Sequence, residues 1–128
     1  MMTWSGFFAV GMGGAIGCWM RWGLGIALNP LFSNILLGTL AANLVGGYLI
    51  GVAVEYFVHH DSIPPELRLF VIVGFLGGLT TFSSFSSEVV ELLTDRQLVM
   101  TFVLVAVHLI GSLAMTYLGM MTVKWVQA

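Results

Sequence analysis

Three stretches of this chain are too long, too apolar and too free of charge to fold as anything but membrane helices or a large buried core. Ile35 to Val54 carries no charged side chain, nor does Leu69 to Ser87, and Leu98 to Val123 is interrupted only by His108. A helix needs about 20 apolar residues to cross the hydrocarbon core. A chain of 128 residues is one domain, too small to wrap three such segments in a soluble shell. Only 8% of its residues are charged, against about 25% in soluble domains, and the mean hydropathy is +1.01. A fourth run, Gly6 to Leu28, is long enough to span but contains Arg21. The expectation is an all-α membrane protein with one domain over residues 1–128 and four transmembrane helices, near 4–28, 35–57, 68–93 and 98–125. The N-terminus has no basic side chain ahead of its apolar run, so no signal peptide is expected.

Charge and cysteine content close other routes. A net charge of −2 with no basic patch gives nucleic acid nothing to bind. The single cysteine, Cys18, excludes an internal disulfide. Four spans put Arg68 and Lys124 on one side of the membrane and Arg96 and Arg21 on the other, two against two. Orientation is set by an excess of Lys and Arg on the cytoplasmic side, and here there is none. The tie has two readings: insertion both ways round, which permits an antiparallel homodimer, or the small number of charges in a short chain.

The polar residues inside the apolar runs are the candidates for function. Thr39 and Asn43 share a face of the second helix, and His108, Ser112 and Thr116 follow one another at four-residue spacing on the fourth. In the third, Thr80, Thr81, Ser83, Ser84, Ser86 and Ser87 surround Phe82 and Phe85. A membrane hydroxyl commonly bonds the carbonyl four residues back and needs no further purpose. Asn43 is harder to satisfy, because its amide has two donors and an acceptor to match in hydrocarbon. His108 is either a packing residue or part of a polar path with Ser112 and Thr116. Small residues at four-residue spacing (Gly13 and Gly17, Gly47 and Gly51, Gly74 and Gly78, Gly111 and Gly119 around Met115) read as helix-packing positions. Gly77–Gly78, just ahead of the hydroxyl cluster, predicts a helix break near Gly77–Thr80, and non-helical backbone at membrane depth must be buried or line a cavity.

These side chains favour an anion. Donors are plentiful, while the carboxylates Glu88 and Glu91 lie toward the end of the third helix. The deep charge is Arg21, which either snorkels, pairs with Glu88, or draws anions into a vestibule. At least one of Phe82 and Phe85 is expected to face inward, where a ring's positive edge can meet a small anion. No nucleophile elbow, phosphate loop or metal-ligand spacing is present, so the chain is not expected to be an enzyme. A proton-coupled exporter of similar size would need an acid in the first helix, where Arg21 stands; a non-transporting helix bundle is the third possibility.

The stretch "GFLGGLTTFSSFSSE" resembles the signature of the Fluc (CrcB-type) fluoride channels. "GGAIGCWMRW", "GTLAANLVGGYLIG" and "GSLAMTYLG" resemble that family's motifs in the first, second and fourth helices, so the resemblance runs through nearly the whole chain in order. It implies passive fluoride export across the plasma (inner) membrane of a prokaryote by an antiparallel, dual-topology homodimer with two pores. By position, Phe82 and Phe85 become pore phenylalanines and Asn43 a donor to the ion. Ser112, Thr116 and His108 continue the polar track, with Thr39, Thr81 and Ser83 supporting it. Arg21 falls near the vestibule and Glu88 near the pore line. The carbonyls of Gly77 and Thr80 are assigned to a central structural sodium ion. This chain departs from the pattern at Ser84, where Thr is usual, and at Leu104 and His108, where some relatives have Tyr and Ser.

Overall fold

The computed structural model describes residues 2–128, and they contain no strand. The first helix, α1, runs Trp4–Leu28 and starts where the Thr3 side chain accepts a hydrogen bond from Gly6 N at 3.1 Å. A 3-10 turn, Asn29–Leu31, places Pro30 where its missing N–H costs nothing. The Asn29 side-chain oxygen then accepts from Gly38 N at 2.8 Å, tying the connector to the first turn of α2, Leu37–Val58. In the second connector Arg68 donates to the His60 carbonyl at 3.0 Å and stands 5.4 Å from the centroid of Phe57.

The third apolar run is two helices. The first, α3, covers 65–79: α-helical at Pro65–Arg68, π-helical over Leu69–Leu76, and α-helical again at Gly77–Leu79. The second, α4, is Phe82–Thr94. It ends in a left-handed Arg96, φ 57°, with Arg96 N bonded to Leu93 O and Gln97 N to Leu92 O. These are the two bonds of a Schellman stop, here with arginine at the position glycine usually takes. The last helix, α5, is Leu98–Gln127.

Helices pair where glycines let backbones touch. A Cβ on Gly17 would lie 2.7 Å from Leu79 N, and one on Gly74 would lie 2.7 Å from Val10 O and 3.1 Å from Gly13 Cα. Between α2 and α5, a Cβ on Gly47 would lie 3.0 Å from Ser112 O and one on Gly119 2.9 Å from Val52 N. Lipid tails are as apolar as leucine, so close dispersion contact, not water exclusion, holds such pairs. Gly111 is the exception among the spaced glycines: it meets only the Leu44 side chain. The result is α1 against α3 and α2 against α5. One apolar cluster (Ala42, Ala53, Phe57, Leu76, Leu79) joins α2 to α3, and a smaller one (Phe85, Leu92, Leu104) joins α4 to α5.

Leu37–Val58, Pro65–Thr94 and Leu98–Gln127 are long and apolar enough to cross a membrane. At 25 residues α1 has the length, but its glycines, tryptophans and Arg21 leave it less apolar than those three.

Candidate functional site

The helix break lies at Thr80 and Thr81, both extended (φ −85°, ψ 157° and φ −152°, ψ 113°). Gly77 and Gly78 stay helical, which corrects the expectation that paired glycines cause the break. Gly78 serves packing instead: a Cβ there would lie 3.1 Å from Cys18 N. The interruption comes from hydroxyl side chains that cap both sides of it. Thr80 closes α3, its N and Oγ1 both donating to Leu76 O at 3.0 and 2.7 Å. Thr81 opens α4, its Oγ1 accepting from Ser84 N at 3.1 Å and sharing hydrogen bonds with the Ser83 and Ser84 hydroxyls. An N-cap of this kind contributes about 1 kcal/mol.

Two residues from other helices satisfy what the caps leave. Arg21 Nε donates to Gly78 O at 3.0 Å, so the cation on α1 meets the negative end of α3. Arg21 does not pair with Glu88; its other contact is Cys18 Sγ at 3.8 Å. Asn43 on α2 treats Thr81 as a strand would: its Oδ1 accepts from Thr81 N at 2.8 Å and its Nδ2 donates to Thr81 O at 3.0 Å. The remaining amide hydrogen points to His108 Nδ1, 3.2 Å away on α5. One asparagine therefore joins α2, the break and α5.

A groove of about 330 Å³ lies beside the break. Asn43, Thr81, Phe82, Phe85, His108 and Ser112 line it, and no carboxylate does. Phe85 is buried and stacks on the His108 ring, centroids 4.6 Å apart and planes at 27°. Phe82 is 73% exposed and sits edge-on to Phe85 at 5.5 Å. Leu104 is fully buried in the α4–α5 cluster, so the polar row on α5 starts at His108. Thr116 lies outside the groove, its hydroxyl bonded to Ser112 O at 3.0 Å, the carbonyl four residues back.

Other candidates gather elsewhere. Arg21, Thr39 and Ser84 line a separate cavity of about 570 Å³ with Cys18 and Trp22. Glu88 is buried at a pocket of about 140 Å³ that it shares with Glu91 and Asp95; its Oε1 accepts from Leu36 N. Among the described residues no cap or side-chain hydrogen bond reaches the carbonyl of Gly77 or of Thr80. The sequence holds both halves of the Asn43–Thr81 pairing, an amide needing partners and a backbone losing them, but only the fold joins residues 38 positions apart.

A family model described as CrcB-like protein, Camphor Resistance (CrcB), matches residues 8–120. The chain is 63% identical over 117 residues to a protein of Nitrosospira multiformis named fluoride-specific ion channel FluC, covering 91% of each. It is 55% identical over 122 residues to the protein of that name from Thiobacillus denitrificans (94% of this chain, 98% of the relative). To the one from Ralstonia pickettii it is 55% identical over 123 residues, covering 96% and 98%.

Proposed function

The chain belongs to the CrcB family, and from that membership we propose that it is a fluoride-selective channel for passive export across the plasma membrane of a prokaryote. The observation that carries the reading is the acid-free groove at the helix break, walled by Phe82 and Phe85 and edged by the donors of His108 and Ser112. Fluoride is small and strongly hydrated. A path for it must replace water with donors while leaving a cation nothing to bind. Ring edges present positive charge, and the N-terminus of α4 opens onto the same groove with its own partial positive charge. Asn43 acts through the break, holding the turn that aims both rings; Thr81 and Ser83 hold the start of α4.

A single chain does not close this path. Phe82 and Leu113, both on the groove, are 73% and 72% exposed. A second copy inserted the other way round supplies the missing wall and makes two equivalent grooves, in keeping with the balanced Lys and Arg count. In that assembly α1 is the fourth span, with Arg21 neutralised in part by the α3 carbonyl end and lining a vestibule with Thr39. Ser112 carries the track along α5, while Thr116, its hydroxyl on the Ser112 carbonyl, and Glu88, in its own pocket, lie beside the path.

The carbonyls of Gly77 and Thr80 are hard oxygen donors, the class a sodium ion takes. Two per chain are too few to surround the ion, and a two-fold copy doubles them. When bound there, sodium supplies a fixed positive charge that pins two breaks together.

The test is fluoride efflux from proteoliposomes. Fluoride is expected to leave and chloride to stay; equal passage of both would overturn the reading. Phe85→Ile, which keeps the bulk and removes the ring edge, is expected to cut fluoride flux at least tenfold while the dimer persists on a sizing column.

A further inference from the structure

α2 opens without a cap of its own. Its N-cap position is Leu36, Leu37 and Gly38 follow, and its first turn holds no acidic side chain. The N–H groups at a helix start need acceptors and together carry about half a positive charge. Here other elements supply the acceptors. Asn29 Oδ1 takes Gly38 N at 2.8 Å, and Glu88 Oε1 reaches across from α4 to take Leu36 N. Glu88 is 5% exposed, and its Oε2 has no hydrogen-bond partner among the described residues. The ion pairs among those residues belong to Glu55, with His59 and Lys124, and none reaches Glu88. A buried carboxylate is costly without a countercharge, and the countercharge it meets is the start of a 22-residue helix.

We propose that the Glu88 carboxylate is a tethered anion, which fills an anion site at the start of α2 so that no free anion lodges there. Backbone N–H groups at a helix start take chloride, phosphate and carboxylate alike. Left open beside a conduction path, such a site would hold passing anions of any kind. Leu36 lines two spaces: the pocket it shares with Glu88, Glu91 and Asp95, and the cavity that holds Arg21 and Thr39. Glu91 and Asp95 repel anions on the first side, while Arg21 draws them on the second. The exposure to capture is therefore from the Arg21 side, and Glu88 answers it from α4. A side-chain oxygen held in place competes at an effective concentration no dissolved ion matches. Glu88 is thus a specificity-determining residue that acts by occupancy, off the fluoride path.

This rests on the channel reading, and the experiment keeps the two apart. Purified protein is melted in detergent at about pH 8, where an ordinary carboxyl is ionised, in chloride, phosphate or gluconate of equal ionic strength. Wild type and Glu88→Gln, which keeps an acceptor for Leu36 N, are expected to melt alike in all three. Glu88→Ala empties the site and is expected to melt higher in chloride or phosphate than in gluconate. In proteoliposomes its fluoride efflux is expected to fall about tenfold when chloride replaces gluconate. Anion-independent melting and efflux in Glu88→Ala would overturn the proposal. So would Glu88→Gln gaining the same sensitivity, since charge alone would then be what keeps anions out. Should Glu88→Ala fail to fold, the infrared difference between wild type and Glu88→Gln decides: a lost carboxylate band is expected, and a lost neutral-acid carbonyl band would overturn the assignment. Wild-type protein that passes no fluoride would overturn the channel reading, and the melting comparison would still decide the role of Glu88.

Discussion

The two halves of the third apolar run are held by different forces. α3 is fastened by backbone: Gly13, Gly17, Gly74 and Gly78 bring its main chain onto that of α1 with no side chains between. α4 is fastened by side chains: the Asn43 amide at its start, the Glu88–Leu36 bond in its middle and the Leu104 cluster on one flank. The first kind of contact cannot adjust, because a single added carbon meets main-chain atoms. The second can be loosened one bond at a time. A rigid frame thus carries a segment whose position is set by a few polar groups, and the groove belongs to that segment.

The sharpest way to break this contrast is at the frame. Gly74→Val puts a branched side chain where a Cβ already lies 2.7 Å from Val10 O. A loss of about 3 kcal/mol or more is expected, read as disappearance of the monodisperse folded species in detergent. The next effect separates the halves. Asn43→Ala leaves Thr81 N and O unmatched and is expected to cost about 2 kcal/mol. Hydrogen exchange should quicken across Phe82–Thr94 and stay unchanged over 65–79; equal quickening in both would mean the third run behaves as one body. The smallest effect is a gain. Arg96→Gly relieves a left-handed arginine and is expected to raise stability by about 0.5–1 kcal/mol, seen as a higher melting temperature with fluoride flux unaltered.

The all-helical class was legible from charge-free runs, because backbone satisfaction in lipid leaves few alternatives. An interruption near Thr80 was legible too, from the paired glycines Gly77 and Gly78 just ahead of the hydroxyl cluster. Its cause was not: glycine looks like a breaker in sequence, yet Gly78 is recruited to the α1 contact, and Thr80 and Thr81 cap the ends. Spacing on α5 puts His108, Ser112 and Thr116 on one side, but a helical face is wider than a groove, and Thr116 turns its hydroxyl to its own backbone. Thr39 shares a face with Asn43 and still opens on the other cavity, since α4 divides the space between them. Arg21 as a cap for α3 left no trace in sequence, because 57 residues separate it from Gly78.

Cys18 gains a use from its place in the fold. It is the only cysteine in the chain, its thiol is exposed, and it lines the cavity that holds Arg21. A spin label can therefore be attached to the native sequence at one defined point. In an assembly of two chains, the separation between the two labels is a ruler that distinguishes opposed from parallel copies without altering a residue.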